Sequence, residues 1–314
     1  MRIRSKTTIM NKKSLTAVFS LLWVCSALYA QDTIIPLWPK GKIPNYIKSD
    51  EKETHVQGDD LLRISKVQEP DIAVYLPTEK NATGEAVLIF PGGGYHILAY
   101  DWEGTDIAKF LNGKGIAGIV VKYRLPSSES QKDKHLVPLI DAQRAVRLVR
   151  ENASIFNIDE NKIGVIGFSA GGHLVATLGT HYNENVYENV DKVDKQSARP
   201  DFMALGYAVI EWDGQRVEEA KSNRDTKEPF IMSYFKNHER VTSKTPPAFL
   251  FHAADDPGVP VANSLSFFRA LNKEGVPATM HIYPNGSHGF SLARDNVHLR
   301  GWTDRFFEWI ESLD

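Results

Sequence analysis

Ser169 stands between two glycines in the stretch GFSAG, residues 167–171. An apolar run precedes it, and a second apolar pattern with helical spacing follows it. A tight turn from a strand into a helix would present the hydroxyl above the end of a sheet, and glycine fits the crowded positions on either side. The N–H groups at the helix start would favour a developing negative charge. The pattern predicts a nucleophilic serine, and the alternative is a serine that only caps a helix.

A serine hydroxyl needs a base, and the base needs a carboxylate that orients it. After such a turn the acid and then the histidine follow, each after a later strand. The predicted strand 248–252 leads into Asp255 and Asp256, and the predicted strand 279–283 leads into His288. On its own His288 would be an ordinary loop histidine, but its position in this order predicts the base. The aspartates are adjacent, so the residues alone leave the choice of acid open.

A glycine run, PGGGY at residues 91–95, follows an earlier predicted strand. Backbone N–H groups in such a loop can approach the carbonyl oxygen of a substrate without obstruction. By itself the run could be a simple turn. Its position upstream of the serine predicts an oxyanion hole formed by Gly93 or Gly94 together with Ala170.

Other aromatic and histidine side chains could have either a functional or a structural role. Four aromatic residues are expected either to stack on sugar rings or to serve as packing residues: Tyr95, Tyr100, Trp102 and Trp212. His252 and His281 lie within strand patterns and His173 follows the glycines of the turn, so we expect structural roles for all three. The chain has no HExxH pair, and the predicted chemistry requires neither a metal nor an organic cofactor.

The elements that position these residues alternate between strands and helices from residue 71 onward. Several strands are apolar on both faces, as in a parallel sheet covered by helices. Residues 142, 145, 146 and 149 form an apolar stripe with helical spacing, and 261–272 and 299–313 have similar patterns. The alternation predicts a doubly wound α/β fold with helices on both faces of a mostly parallel sheet. The predicted strands are 71–76, 86–90, 116–123, 162–168, 202–210, 248–252 and 279–283.

The first 30 residues have the layout of a signal peptide. Five basic residues precede a short apolar run that ends in ALYA at residues 27–30. We expect cleavage after Ala30, export to the periplasm or the medium, and no stable membrane insertion afterwards. The alternative is a membrane anchor, but the run is short and contains Ser20 and Ser26. Cys25, the only cysteine, would leave with this segment.

The rest of the chain, residues 31–314, is predicted to be one catalytic domain. The whole chain has 37 Lys and Arg against 39 Asp and Glu, and the first 30 residues include five basic and no acidic ones, so the mature charge is −7. Such an acidic chain argues against nucleic-acid binding. Residues 31–70, with three prolines, indicate an extended arm. Residues 211–244 are expected to form a small lid or a peripheral insertion before the acid-bearing strand.

The motifs together resemble those of the secreted α/β-hydrolase esterases grouped with acetyl xylan esterases, near the feruloyl-esterase-like and hormone-sensitive-lipase-like branches. The resemblance extends over most of residues 35–313 and implies the α/β-hydrolase fold. In the lipase branch a histidine stands where this chain has Pro91. The motifs are LWP at 37–39, PGGGY at 91–95, VKYRLP at 121–126, DAQRAVRLVR at 141–150, GFSAGGHL at 167–174, HAADDPGVP at 252–260 and NGSHGF at 285–290.

The resemblance also implies roles for particular residues. The acid of this family follows an H-G-x-x-D-x-x-V-P pattern, which points to Asp256 although Ala253 replaces the usual glycine. The implied activity is serine ester hydrolysis through an acyl-enzyme, with Ser169, His288 and Asp256 as the triad. The expected substrate is an acylated carbohydrate, with O-acetyl groups on xylan or xylo-oligosaccharides first and other small esters next.

Alternative functions follow from the same scaffold. The first is a general short-chain carboxylesterase. An exopeptidase of the prolyl oligopeptidase kind ranks below it, because a large N-terminal propeller does not fit into the roughly 40 residues before the first predicted strand. An arylformamidase-like amidase also ranks below it, because such amidases are not usually exported. A non-catalytic carbohydrate-binding protein is the alternative from another class, and a missing triad residue would favour it.

Overall fold

The computed structural model describes residues 33–58, 60–211 and 235–313. The predicted signal peptide, Trp212 and most of the predicted lid lie outside these residues. The strands are β1 Thr33–Pro36, β2 Thr54–Gln57, β3 Leu62–Ser65, β4 Asp71–Tyr75, β5 Ala86–Phe90, β6 Leu98–Ala99, β7 Ala117–Lys122, β8 Ile163–Phe168, β9 Phe202–Gly206, β10 Ala248–Ala253 and β11 Ala278–Tyr283. The α-helices are α1 Asp106–Asn112, α2 Val137–Glu151, α3 Ala170–His181, α4 Ala262–Lys273, α5 Val297–Arg300 and α6 Trp302–Glu311.

Eight of these strands form the central sheet, in the order β1-β4-β7-β5-β8-β9-β10-β11. The pairs from β7 to β11 are parallel, whereas β1 and β4 run antiparallel to their neighbours. β5, β8 and β9 are buried throughout. This agrees with their apolar sequences, because helices cover both faces of a parallel sheet.

Two apolar cores lie on opposite faces of the sheet. Successive residues of a strand point to opposite faces, so Val165 of β8 belongs to the core that includes α2, α3 and α4, while Ile166 belongs to the core that includes α1 and α6. The predicted doubly wound α/β fold is confirmed. None of the helices within the described ranges is long and apolar enough to cross a bilayer.

All seven predicted strands are present, and the largest difference is the end of β9. It ends at Gly206 rather than at residue 210, because Tyr207 has a φ of 35° and cannot continue a strand. The prediction of an extended arm at 31–70 was incomplete. This stretch contributes β1 to the central sheet and pairs β2 and β3 with β6 in a separate three-stranded sheet.

The segment after β1 is fastened to the domain through a buried ion pair. Asp141 of α2 accepts hydrogen bonds from Arg124 NH2 at 2.8 Å and from Arg124 Nε at 2.9 Å. Trp38 Nε1 donates to the same carboxylate at 2.9 Å, and Arg124 NH1 donates to the Pro44 carbonyl oxygen at 2.7 Å. Both charged side chains are buried, so each relies on the other for the interactions that water would provide.

The candidate functional residues lie at one edge of the sheet. The glycine loop follows β5, Ser169 follows β8, the two aspartates follow β10 and His288 follows β11. Because these strands are parallel, their carboxyl ends meet at the same edge, where α/β proteins bind ligands.

Candidate active site

Ser169 has the strained backbone expected of a turn from strand to helix. Its φ and ψ are 52° and −117°, and its N–H donates to the Gly206 carbonyl oxygen at 3.0 Å. A Cβ added at Gly167 would lie 2.3 Å from the Gly171 carbonyl oxygen, and one at Gly171 would lie 2.0 Å from that of Phe90. Both glycines are therefore required sterically, because any side chain there would push α3 away from β5 and β8.

The structure brings Ser169, His288 and Asp256 into one hydrogen-bonded chain. His288 Nε2 lies 2.9 Å from Ser169 Oγ, and His288 Nδ1 lies 2.7 Å from Asp256 Oδ2. The Asp256 side chain is fully buried, whereas that of His288 is 29% exposed. A carboxylate can only accept, so Nδ1 carries the proton and Nε2 is left to accept the proton of the serine. The arrangement is suited to nucleophilic acyl transfer.

The two adjacent aspartates have different partners. The other oxygen of Asp256 accepts the N–H groups of Gly258 and Val259, both at 2.8 Å, which fixes the orientation of its carboxylate. Asp255 is turned the other way and accepts the N–H groups of Gly286 and Ser287, both at 2.9 Å. Asp255 therefore anchors the loop that bears His288 and does not bind the imidazole itself.

His252 is a residue whose contact with the site the sequence did not reveal. It is a core residue, as expected, and its Nε2 lies 2.9 Å from the Val259 carbonyl oxygen and 3.3 Å from Asp256 Oδ2. Its Nδ1 lies 2.8 Å from Ser264 Oγ. Burial lowers the pKa of His252, so the ring is neutral, with its Nε2–H donated towards these oxygens and Nδ1 accepting from the serine. Its spacing of four residues before Asp256 was the available signal.

The glycine loop lies directly against the nucleophile. A Cβ added at Gly92 would lie 3.1 Å from Ser169 Cβ. Gly93 and Gly94 have φ values of 126° and 63°. The N–H groups of Gly93, Gly94 and Ala170 form no hydrogen bond with another described residue, and they can donate to a ligand. The predicted oxyanion donors thus stand on both sides of Ser169.

Glu103 lies behind this loop, and nothing in the sequence pattern marked it. It belongs to a π-helical turn, Asp101–Thr105, and is 4% exposed. Its Oε2 accepts the Gly92 N–H at 2.8 Å, and its Oε1 accepts the Tyr207 hydroxyl at 2.7 Å. Burial raises the pKa of Glu103, and these two donors act in the opposite direction.

The predicted aromatic surface is only partly in place. Tyr95 is 2% exposed and its hydroxyl lies 2.9 Å from His173 Nδ1, so its ring is a core element and not a surface for sugars. Trp102 is partly exposed and donates through Nε1 to the Gly289 carbonyl oxygen at 2.8 Å, next to His288. Tyr100 packs among core residues. Trp212 lies outside the described residues.

Buried histidines near the site are held neutral. Burial lowers the pKa of His173 to about 3.

In the part of the chain that the structure describes, no three His, Cys, Asp or Glu side chains are grouped as metal ligands would be.

The sequence is similar to one protein family and to characterised proteins. The BD-FAE family matches residues 72–271. The acetylxylan esterase of Xylanibacter ruminicola is 34% identical over 260 residues, which cover 80% of this chain and 50% of that protein. Endo-1,4-beta-xylanase B of Butyrivibrio fibrisolvens is 34% identical over 250 residues, 78% of this chain and 38% of that protein. The chain thus spans about half the length of these curated relatives, or less.

Solved structures of esterases and related hydrolases have the same fold as this chain. The acetyl ester-xyloside bifunctional hydrolase of Caldicellulosiruptor lactoaceticus superposes with a TM-score of 0.75 and 36% identity, covering 92% of this chain and 98% of that one. A carboxylesterase of Lactobacillus plantarum, with a TM-score of 0.66 and 23% identity, covers 83% of this chain and 96% of its own, and shares the fold. The predicted α/β-hydrolase fold is confirmed.

Proposed function

The chain belongs to the BD-FAE family of α/β-hydrolase serine esterases, and on this basis we propose that it removes O-acetyl groups from xylan or xylo-oligosaccharides. The observation that carries the proposal is the chain of two hydrogen bonds from Ser169 through His288 to Asp256, at 2.9 and 2.7 Å. Such a relay activates a hydroxyl for attack on an ester carbonyl.

In the proposed reaction Ser169 Oγ attacks the acetyl carbonyl carbon while His288 Nε2 takes the hydroxyl proton. Asp256 holds the imidazole and stabilises its positive charge, and the amides of the glycine loop and of Ala170 donate to the oxyanion. His288 then returns the proton to the departing sugar oxygen as the ester C–O bond breaks. Water, deprotonated by His288, then attacks the acetyl-enzyme, and His288 returns this proton to Ser169 Oγ as the acyl C–O bond breaks and acetate leaves.

The choice of acetylated xylan has narrower support than the ester chemistry. It rests on the resemblance to an acetylxylan esterase at 34% identity and to an acetyl ester-xyloside hydrolase at 36%. Trp102, partly exposed beside the His288 loop with Arg294 6.0 Å from its ring centroid, is an aromatic side chain that a sugar ring could contact. A short-chain carboxylesterase with no preference for carbohydrate is the alternative to exclude.

The test is acetate release from acetylated xylo-oligosaccharides, with p-nitrophenyl acetate as a second substrate and Ser169→Ala as the inactive control. Release from both substrates, lost in the variant, supports a xylan deacetylase. Cleavage of p-nitrophenyl acetate alone would support the esterase activity but exclude acetylated xylan as the substrate. Activity that persists in Ser169→Ala would exclude the serine mechanism.

We also propose that residues 1–30 direct export and are removed after Ala30, which leaves one catalytic domain at 31–314. The N-terminal sequence of the protein recovered from the periplasm or the medium tests this. A mature chain beginning at Gln31 is expected, and an intact N-terminus on the exported protein would contradict the proposal.

A further inference from the structure

The loop that bears His288 has an unusual backbone. Ser287, Ser291 and Ala293 have φ values of 55°, 46° and 47°, and Gly289 has a φ of 77°. Alternate residues are therefore left-handed, and three of the four are not glycine. This conformation is strained for the three non-glycine residues and persists only where their surroundings hold it. The position of His288 must therefore be maintained by contacts from outside the loop.

Asp255 holds the start of the loop, and Trp302 Nε1 donates to the Ser291 carbonyl oxygen at 2.9 Å. Two further elements hold the loop next to the active site. The Ser291 N–H donates to the Tyr207 hydroxyl oxygen at 3.0 Å, just beyond the end of β9. Trp102 Nε1 donates to the Gly289 carbonyl oxygen, and Ser291 Oγ donates to the Trp102 carbonyl oxygen. The turn that contains Trp102 also contains Glu103, whose carboxylate binds Tyr207 on one side and Gly92 on the other.

The hydrogen-bond pattern around Glu103 favours its ionised form. Both of its oxygens accept, one from the Gly92 N–H and one from the Tyr207 hydroxyl. The Tyr207 oxygen already accepts the Ser291 N–H, so its proton points to Glu103. A carboxylate accepts both bonds with no proton of its own to place in the buried site, whereas burial acts against the charge.

We propose that Glu103 is a positioning residue that ties the glycine loop to the His288 loop through its two carboxylate oxygens. The inference rests on the proposed function, because it concerns the same reaction. One oxygen fixes the position of the start of the loop that carries the oxyanion donors. The other, through Tyr207 and Ser291, fixes the position of the loop that carries the base. The donors and the imidazole are thus aligned to one transition state by a single buried group.

A double-mutant cycle tests this link. Glu103→Gln keeps the shape of the side chain but replaces one acceptor by a donor, while Tyr207→Phe keeps the ring that contacts His288 at a centroid distance of 5.1 Å and removes the hydroxyl. Tyr187→Phe is the matched control, because its hydroxyl also donates to a carboxylate, Asp194, at 2.7 Å and lies outside the site. kcat and KM for p-nitrophenyl acetate are measured for all variants after folding is verified by circular dichroism.

Each single substitution at 103 or 207 should lower kcat by roughly 10- to 100-fold with KM within about threefold, since a small misplacement of the reacting groups acts on the transition state. The double variant should be no worse than the poorer single variant, because both break one link. Tyr187→Phe should keep the wild-type kcat.

Two results would overturn the inference: kcat values no lower than that of the control, or losses that multiply in the double variant. If Glu103→Gln does not fold, Tyr207→Phe decides alone, because it cuts the link to Ser291 and leaves the Gly92 bond in place. A wild-type protein that hydrolyses no ester refutes the proposed function and this inference with it. An active wild type with unaffected variants refutes the inference only.

Discussion

Asp141 and Asp256 are both buried carboxylates near the carboxyl edge of the sheet, but their partners differ. Asp141 binds Arg124 and Trp38, whose guanidinium and indole N–H groups can only donate. Asp256 binds His288, whose second nitrogen reaches Ser169. Asp141 therefore forms a fixed ion pair, whereas Asp256 lies at the end of a hydrogen-bonded chain along which a proton can move.

The comparison shows that burial of a carboxylate does not by itself indicate catalysis. Asp141 fastens the segment after β1 to α2, so its loss should affect folding. Asp256 selects one tautomer and one orientation of an imidazole, so its loss should affect turnover. Substitutions of equal size at the two positions should therefore separate the two effects.

The largest effect is expected for Asp256→Asn. The NH2 group that takes the place of Oδ2 would present a donor to His288 Nδ1, or the imidazole would adopt the wrong tautomer. In either case kcat should fall by about 10⁴-fold. Steady-state kinetics with p-nitrophenyl acetate measure this, with urea unfolding as a check on the fold. A loss below tenfold would mean that Asp256 does not orient the base.

Asp141→Asn should give the opposite result. Arg124 would remain buried beside a neutral amide, and the free energy of unfolding should fall by about 3–5 kcal/mol. The folded fraction should keep kcat within about threefold of the wild type. Urea titration measures the first quantity, and kinetics at low temperature measure the second. Equal losses of turnover at 141 and 256 would remove the distinction between the two carboxylates.

Asp255→Ala tests an intermediate case, because Asp255 touches neither reacting side chain. It removes the acceptor of the Gly286 and Ser287 N–H groups and loosens the His288 loop. We expect kcat/KM to fall by about tenfold, the scale of one or two charge-assisted hydrogen bonds on an exposed loop. Asp255→Asn keeps one carbonyl acceptor and should lose less. Equal activity of all three forms would show that the loop is held without Asp255.

His173 extends the comparison to a buried histidine outside the proton path. Its folded pKa of about 3, lowered by burial, lies below the ordinary value of 6.5, so the unfolded chain takes up the proton first. The free energy of unfolding should therefore decrease as the pH falls below about 6.5, by at most about 1.4 kcal/mol per pH unit from this residue.

Urea titrations of the wild type and of His173→Asn between pH 7 and pH 5 measure this slope. The asparagine Oδ1 stands where Nδ1 does and can still accept from the Tyr95 hydroxyl, so the variant isolates the loss of the titrating ring. Its stability should depend less on pH in this range. Parallel curves would argue that His173 is not buried in its neutral form.

Much of the site could be predicted because its signals are local. Ser169 stands between glycines that only a strand-to-helix turn requires, and parallel strands bring their carboxyl ends to one edge. Asp255 and Asp256 are harder to separate, since a rotation of the turn by one residue decides which carboxylate faces the imidazole. Only the resemblance to known esterases indicated Asp256.

The rest depends on contacts between distant parts of the chain. Glu103 lies in the stretch DWEGTDIAKF, which resembles the acidic start of an exposed helix. It is buried because Tyr207, 104 residues later, packs on it. The strands β2, β3 and β6 are two to four residues long, too short for a period of two to be recognised. Tyr95 follows a functional loop in sequence, but tertiary packing turns its ring into the core.

The backbone at Ser169 also restricts the evolution of the nucleophile. A φ of 52° crowds the Cβ, and threonine, whose Cβ is branched, is not accommodated at such an angle. Cysteine has the same unbranched Cβ as serine and can be reached from serine by a single base change. Descendants of this chain that keep the turn can therefore exchange a hydroxyl nucleophile for a thiol, but not for a secondary alcohol.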